Sequence, residues 1–277
     1  SEIAALQESL AVFQAADGFT ARWLKTEEVV TGEPRLSPHI IQAVCLYGNA
    51  VVDSYLYTSA LFKAAESRGT ALRLARAVGL KTSGGRVTAV RLTDGELVCE
   101  HVVIASGPWA GEAESWLGIP IPVEPLKGEI LRMALPGPAP GWEVEGADVS
   151  LGQRADGLIW VGATEERCGF DTQPSEAARN KLLAAAVRLM PAMSAAKIVQ
   201  HTACLRPATS DRLPIIGKAP GWDNVYLATG GRKKGILLAA GMGQAMANLI
   251  ANGRTNLSID PFAPGRFATR SVEEARR

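Results

Sequence analysis

A glycine-rich turn in the last third of the chain carries residue types that suit ligand binding. Residues 225–250 are predicted to form a strand, a turn and a helix, and the turn holds Gly230, Gly231 and Gly235 around Arg232, Lys233 and Lys234. The start of a helix presents unpaired amides and about half a positive charge, so it attracts phosphate or an anionic heterocycle. The glycines do not have the GxGxxG spacing of a dinucleotide-binding loop. A capping or packing turn is the alternative interpretation.

Arg206 has a side chain that could bind an anion. It lies in the segment LRPATSDRLPIIG at residues 205–217. A guanidinium group forms two parallel hydrogen bonds with a carboxylate, so Arg206 could fix the orientation of an acidic substrate. The alternative is an arginine at a strand end that makes a surface ion pair. Lys233 and Arg232 could add positive charge nearby, although basic residues on a loop are more often simply solvated.

A third candidate segment is the apolar strand at residues 101–105, which ends in Ser106, Gly107, Pro108 and Trp109. Continuous apolar runs suit a strand that is covered on both faces. Small residues directly after such a strand suit a tight turn packed on a helix.

The composition excludes several classes of protein. Its 29 basic and 28 acidic residues nearly cancel, so no strong field would attract nucleic acid or an anionic membrane. The four cysteines are widely spaced without a CxxC pair and do not cluster with the three histidines, which argues against a metal site. No signal-like segment or long apolar run is evident, so we expect no membrane span, a cytoplasmic location and a small-molecule partner.

The periodicity of apolar residues predicts a mixed α/β chain. We expect helices at residues 1–24, 54–68, 175–190 and 236–251, the last of them buried on most faces. Turn residues 83–85 and 94–95 predict two hairpins. Further strands are predicted at residues 40–52 (with an internal turn), 101–105, 126–135, 158–163, 198–205, 214–217 and 224–228.

Taken in their order along the chain, the three candidate segments resemble motifs of the FAD-dependent D-amino-acid oxidase and glycine oxidase family. The family shares Leu-Arg-Pro, then Thr, Asp and Pro-hydrophobic-hydrophobic-Gly, followed by Ala-Thr-Gly, basic residues and Gly-Ile-Leu-Leu, as in residues 205–217 and 228–238. The resemblance implies that Arg206 binds the substrate carboxylate and assigns Lys233 a secondary role at the site. It implies FAD contacts from Val78, Ser106, Gly107, Trp109, Gly230, Gly231, Arg232, Lys233, Lys234, Gly235 and Ile236, and no metal.

The resemblance also implies a fold class and a division into domains. We expect a truncated doubly wound FAD-binding domain interleaved with an antiparallel-sheet substrate domain. The expected FAD-binding parts are residues 1–36, 51–118 and 205–260. The substrate domain would comprise residues 37–50 and 119–204, and residues 261–277 would form a tail. The Lys127-Gly128-Glu129 segment resembles the entry into the substrate domain.

The sequence departs from the family at its start and at two substrate-side positions. The strand, GxGxxG and helix that cradle the pyrophosphate are missing, as is the acidic residue that binds the ribose. A longer natural protein, a complementing chain and a natural truncation with another use are competing explanations. An uncovered sheet edge would favour a homo-oligomer or a complementing chain as partner. Ser150 stands where glycine oxidases have a tyrosine, and Trp160 where the sarcosine oxidase branch has a lysine, which favours a different or larger substrate.

Three functions remain open from the sequence. The first is an FAD-dependent oxidase or dehydrogenase that acts on the C–N bond of an amine or amino acid. The second is a non-catalytic remnant or subunit that binds a partner chain supplying the missing segment; a continuous apolar patch would mark it. The third is the flavin domain of a tRNA-modifying oxidase, to which near-neutral charge is less suited.

Overall fold

A computed structural model describes residues 2–267 of the chain. The fold is mixed α/β, as predicted, and it divides into two compact units. Unit 1 comprises Ser1–Asp53, Gly128–Glu166 and Thr172–Cys204, and unit 2 comprises Ser54–Lys127, Arg167–Asp171 and Leu205–Arg277. The first 36 residues therefore group with the antiparallel sheet of unit 1, whereas the predicted division assigned them to the FAD-binding domain.

Helices and strands alternate as far as residue 66, and the later strands follow one another in three runs. The helices are α1 (Glu2–Gln14), α2 (Thr26–Gly32), α3 (Ser54–Glu66), α4 (Glu114–Leu117), α5 (Glu176–Leu189) and α6 (Gly235–Asn252). The strands are β1 (Thr20–Leu24), β2 (Ala43–Tyr47), β3 (Ala77–Ser83), β4 (Arg86–Leu92), β5 (Gly95–Val98), β6 (Val102–Ile104), β7 (Val123–Ala134), β8 (Val144–Glu145), β9 (Ser150–Gln153), β10 (Ile159–Gly162), β11 (Lys197–Thr209), β12 (Ile215–Lys218) and β13 (Val225–Thr229).

Unit 1 is built on a five-stranded sheet of order β11-β7-β10-β9-β8. Side chains alternate between the faces of a strand, so one face of each strand supplies the core. Leu131 and Met133 of β7 and Val161 of β10 are fully buried on that face. They pack in one cluster with Leu182 and Ala186 of α5. The helix therefore covers one face of the sheet.

Helix α5 begins as the sequence predicts. The Ser175 hydroxyl accepts a hydrogen bond of 3.1 Å from the Ala178 amide, which satisfies one of the free donors at the helix start. The helix ends at Leu189, before Pro191 begins a short 3-10 turn. A proline cannot donate to the helix ladder, which explains the stop.

The N-terminal part of unit 1 differs from the prediction of a single helix over residues 1–24. Helix α1 ends at Gln14, and the chain then forms β1, which pairs antiparallel with β2. Within residues 40–52, only β2 is a strand. Helix α2 has Lys25 as its N-cap residue, and the Glu28 carboxylate accepts from the Lys25 amide at 2.9 Å. Local periodicity alone could not reveal β1, whose partner lies some twenty residues later.

Unit 2 contains a three-stranded sheet of order β12-β13-β6. Strand β13 pairs antiparallel with β12 and parallel with β6. Ile215, Val225 and Leu227 are fully buried and belong to the core cluster of this unit. Strands β3, β4 and β5 form a separate antiparallel meander, which confirms both predicted hairpins.

Helix α6 of unit 2 is less buried than predicted. Helix α6 buries only Ala245 and Met246, and Leu237 is 78% exposed, so the prediction of a helix buried on most faces was wrong for this chain. Helix α3 has no buried residue. The predicted tail instead packs on the unit as far as Phe267, which is 4% exposed. The rest of that tail, residues 268–277, lies outside the described residues.

Candidate functional site

The parallel pairing of β6 and β13 brings two of the predicted site segments together. Val225 is opposite Val102 and Leu227 is opposite Ile104, so both strands end at the same edge of the sheet. The turns after them therefore begin side by side. The Thr229 hydroxyl donates to the Gly107 carbonyl at 3.0 Å and ties the turns together. Ligands of α/β sheets bind outside the carboxyl ends of such strands.

The glycine-rich turn after β13 requires its first two glycines. Gly230 has a φ of +79°, and a Cβ atom there would lie 2.8 Å from the Thr209 side chain. At Gly231, a Cβ atom would lie 2.7 Å from the Cα of Gly235. Arg232 adopts the left-handed region with a φ of +47°, which is uncommon for an arginine. This compact turn delivers the chain directly into α6.

The N-terminus of α6 lacks a side-chain cap. Lys234 is the N-cap residue and makes no capping hydrogen bond through its side chain. Gly235 is half-buried, while Lys233, Lys234 and Ile236 are exposed. The first amides of an 18-residue helix and the neighbouring basic residues thus make one end of this helix electropositive. This end of α6 can hold an anion or an electron-rich heterocycle.

The turn after β6 carries an exposed aromatic pair. Gly107 has a φ of +56° and Pro108 is buried, which turns the chain sharply after Ser106. Trp109 is 48% exposed and stacks on Phe170, with 5.8 Å between the ring centroids and 25° between the planes. Sequence reasoning missed Phe170, because the pair is 61 positions apart and no local pattern links them.

Arg206 lies half-buried near the end of β11. The turn that follows is held by the Thr209 hydroxyl, which donates to the Leu213 carbonyl at 2.7 Å, and by an ion pair of 2.8 Å between Asp211 and Arg266. Burial would raise the pKa of Asp211, but hydrogen bonds from Arg266 and the Leu213 amide outweigh it and lower that pKa. The aspartate of the motif therefore fixes the turn that follows β11, five residues after Arg206.

Val78 lies apart from the turns, on the antiparallel meander. It is the second residue of β3, at an irregularity in the pairing with β4, and it is 47% exposed. Strand β3 begins at Ala77, one residue before Val78, and residues 70–76 form no strand.

Unit 1 holds a buried polar cluster that the sequence did not reveal. The Glu129 side chain is fully buried and accepts from the Ser175 amide at 2.9 Å and the Ser175 hydroxyl at 3.1 Å. Its carboxylate also lies 2.8 Å from Nε2 of His201, although the ring N–H is not aligned for a hydrogen bond. The Glu129 amide donates to the Thr164 hydroxyl at 3.0 Å. This cluster joins β7, β11 and the start of α5.

Within residues 2–267, no group of three or more histidine, cysteine, aspartate or glutamate side chains is arranged to hold a metal ion. In the same part of the chain, no helix is both long enough and apolar enough to cross a membrane.

Comparison with known proteins identifies relatives of the chain. The family model for FAD dependent oxidoreductases (DAO) matches residues 1–249. The glycine oxidase of Pseudomonas putida is 35% identical over 187 residues, which is 67% of this chain and 51% of that protein. The HcnC subunit of hydrogen cyanide synthase from Pseudomonas protegens is 31% identical, over 91% of this chain and 61% of that protein.

Solved structures agree with these relatives. The crystal structure of glycine oxidase from Geobacillus kaustophilus superposes with a TM-score of 0.89 at 27% identity, and the match covers 96% of this chain and 72% of that one. The chain spans about half to three fifths of the length of the two Pseudomonas relatives. The matched residues 1–249 include every predicted site segment. The family resemblance of the motifs is thereby confirmed, and the chain belongs to the DAO family of FAD-dependent oxidoreductases.

Proposed function

We propose that this chain binds the flavin ring and the substrate of an FAD-dependent enzyme that oxidises the C–N bond of an amine or amino acid. The observation that carries the proposal is the edge of unit 2 at which the turns after β6 and β13 meet. These turns are tied by the Thr229–Gly107 hydrogen bond and followed by the uncapped start of α6. Relatives that are glycine oxidases support the same reaction class.

The residues at this edge fit the ring end of the cofactor. Gly230 and Gly231 keep the backbone free of side chains, and a Cβ atom at either position would collide with neighbouring atoms. The amides at the start of α6 would stabilise negative charge on the ring. Exposed Lys233 and Lys234 would add to this potential. Ser106, Gly107 and Trp109 would border the ring from the neighbouring turn.

The bound flavin would supply the redox chemistry, by accepting a hydride from the carbon that carries the amine, and water would hydrolyse the imine. The protein's role is to orient the substrate. Arg206 would hold the substrate carboxylate through two parallel hydrogen bonds and so fix the reacting carbon. The Asp211–Arg266 pair would hold the turn that follows β11 in place.

Flavin titration of the purified chain tests the cofactor site. We expect added FAD to bind with a change in its visible absorbance, and Gly231→Val to abolish that change because the turn cannot accommodate a side chain. Gly241→Ala is the matched control, since a Cβ atom at that helical position meets nothing within 4 Å. Absence of flavin binding, also when a strand–GxGxxG–helix polypeptide is supplied, would refute the proposal.

Substrate pairs test Arg206. Amino acids and their carboxamides would be compared as substrates of the flavin-loaded protein. We expect reduction of the flavin by the amino acids to depend on Arg206. Arg206→Met should lower kcat/KM for the acid by about tenfold to a thousandfold, as for a truncated charge pair. The rate for the amide should change little. An equal loss for acid and amide would remove Arg206 from the carboxylate site.

A specific observation also favours the second function, binding of a partner chain. Helix α3 exposes Tyr55 by 77%, Leu56 by 61% and Phe62 by 51%, and it buries none of its residues. Strand β6 is the edge of its sheet, and Val103 on it is 38% exposed. An uncovered apolar helix and an open strand edge are typical of a surface that is covered in the working protein.

We infer that this surface receives a polypeptide that adds a parallel strand at β6 and a helix near α3. Such a segment would also supply the pyrophosphate cradle that the 277 residues lack. Light scattering after size exclusion is the test. We expect self-association, or a one-to-one complex with a strand–GxGxxG–helix polypeptide. Leu56→Glu should weaken either assembly. A monomer that does not bind the polypeptide would contradict the inference.

A further inference from the structure

An aromatic pair lies next to the turns of the proposed cofactor site, and both of its members belong to unit 2. Trp109 is two residues after Gly107, whose carbonyl accepts from the Thr229 hydroxyl. The indole stacks on the ring of Phe170, with 5.8 Å between the ring centroids. Both side chains are about half exposed, so each ring keeps a surface in contact with solvent.

The backbone of Trp109 is fixed by contacts that do not involve its side chain. The Trp109 amide donates to the Ser106 carbonyl at 3.1 Å, and the short 3-10 helix that contains Trp109 buries Ala110 and Ala113. An exposed indole on such a backbone could still turn about its side-chain bonds. Stacking on a second aromatic ring removes this freedom, because stacked rings attract one another beyond the area that they bury. Phe170 therefore determines the direction of the indole.

Phe170 lies in a tight turn formed by residues 167–171. The Asp171 amide donates to the Cys168 carbonyl at 3.4 Å, and Gly169 has a φ of +61°, a value that favours glycine. The turn belongs to unit 2, although the segments before and after it in the chain belong to unit 1. Specific contacts must therefore hold the turn on unit 2.

Two ion pairs hold the turn on the first residues of β7. At one end of the turn, Arg167 pairs with Glu124, and the two side chains are 66% and 64% exposed. At the other end, Asp171 pairs with Lys127 at 2.7 Å, and the Lys127 side chain is only 3% exposed. Exposed ion pairs contribute little, whereas the loss of a partner from a buried ammonium group is costly. The Lys127–Asp171 pair is therefore the stronger anchor of the turn.

We propose that Phe170 is a positioning residue of the cofactor site, which holds the Trp109 indole in the direction needed to border the flavin ring. The inference rests on the proposed function, because Trp109 borders the ring only if flavin binds at these turns. Phe170 acts through Trp109 and needs no contact of its own with the flavin. A side chain that is ordered before its ligand binds loses less freedom on binding, so the stack should increase the affinity for FAD.

A double-mutant cycle on FAD affinity tests the proposal. FAD would be titrated into the parent chain, Phe170→Ala, Trp109→Ala and the double variant, with the strand–GxGxxG–helix polypeptide present throughout and visible absorbance as the signal. We expect Phe170→Ala to weaken FAD binding by about twofold to tenfold, the effect of one side chain that is no longer ordered in advance. The double variant should bind FAD as weakly as Trp109→Ala and no more weakly, because Phe170 acts through the indole.

Rescue and control variants separate positioning from a general effect on the fold. Phe170→Tyr keeps the ring and should restore FAD affinity to within about twofold of the parent. Val98→Ala shortens another exposed apolar side chain of unit 2, which is 82% exposed, and should leave FAD affinity unchanged.

The flavin-free chain provides a second readout, the indole N–H resonances of isotope-labelled protein. The chain has six tryptophans, and Trp109→Ala identifies the resonance of Trp109. We expect this resonance to move in Phe170→Ala while the other five indole resonances stay in place, which shows that the stack is lost and the fold retained.

Three results would overturn the inference: equal FAD affinity of Phe170→Ala and the parent, additive losses in the double variant, or an unmoved Trp109 resonance in Phe170→Ala. These results leave the proposed function standing, because the parent still binds FAD. A parent that binds no FAD refutes the proposed function, and the inference is overturned with it.

Discussion

Asn224 is expected to hold unit 2 together, and its removal is the most direct test of the fold. The side chain is fully buried just before β13. Its oxygen accepts from the Val87 amide at 2.9 Å, and its nitrogen donates to the carbonyls of Val87 at 2.8 Å and Glu100 at 2.5 Å. One amide thus joins the start of β13 to the meander and to the start of β6, both of which lie more than a hundred positions earlier in the chain.

The magnitude follows from these three bonds. A buried hydrogen bond contributes about 1 kcal/mol net, and a buried partner left unsatisfied costs about 1–3 kcal/mol. Val87 is 1% exposed, so water cannot replace the lost partner at that residue without a local opening. We therefore expect Asn224→Ala to lower the free energy of unfolding of unit 2 by about 3 kcal/mol.

Urea unfolding followed by tryptophan fluorescence and circular dichroism is the assay. With an m-value of about 2 kcal/mol per molar, the midpoint should fall by about 1.5 M. Asn252→Ala is the matched control, because it removes an exposed amide at the end of α6 in the same unit, and it should change stability by less than about 0.5 kcal/mol.

A second substitution distinguishes the effect of the hydrogen bonds of Asn224 from the effect of burying its side chain. Asn224→Asp keeps the oxygen that accepts from the Val87 amide, but it replaces the side-chain NH2 group by a second oxygen that faces the carbonyls of Val87 and Glu100. Because those carbonyls disfavour a negative charge, the pKa of the new carboxyl is raised in the folded state. The variant should therefore be less stable at neutral pH than near pH ~4, where the carboxyl is protonated and can donate. A loss below about 1 kcal/mol for the alanine variant, or no pH dependence for the aspartate, would refute the reasoning.

Three further predictions concern stability. The pKa of Asp211 is lowered in the folded state, so its pairing with Arg266 should stabilise the protein above pH ~4, and this stabilisation should be lost as the pH falls through the folded pKa. Asp211→Asn should therefore reduce the fall in Tm between neutral and acid pH. An unchanged dependence of Tm on pH would contradict this prediction. Ser175→Ala removes the α5 cap and a donor to buried Glu129, and should cost about 1–3 kcal/mol in urea unfolding, with near-zero cost counting against the cap. Leu131→Ala, at a fully buried position, should cost about 2–5 kcal/mol by calorimetry, and a smaller loss would show that the unit 1 core collapses around the cavity.

The sequence determined the features that depend on neighbouring residues. Helices α3 and α5, the hairpins of the meander and the strands on either side of the motifs were predicted, because helical and strand periodicities and turn residues act over a few positions. The ordered motifs at residues 205–217 and 228–238 also sufficed to identify the family. The roles of the individual site residues in them remain predictions.

Tertiary structure decided the features that join distant residues. The hydrogen bond between Thr229 and Gly107, the stacking of Trp109 on Phe170 and the placement of Arg132 over Trp160 follow from strand pairing and chain reversal, which leave no trace in local periodicity. Strand β1 was missed for the same reason, since its pairing with β2 defines it.

The exposure of α6 shows the remaining limit of the sequence. Its apolar residues predicted a helix buried on most faces, and this prediction was wrong, because α6 buries only Ala245 and Met246. Hydrophobicity specifies that a face is to be removed from water, but it does not specify what removes it. Leu237 of α6 is 78% exposed. The sequence therefore determined the apolar composition of this helix. Only the folded structure decided which of its side chains are removed from water.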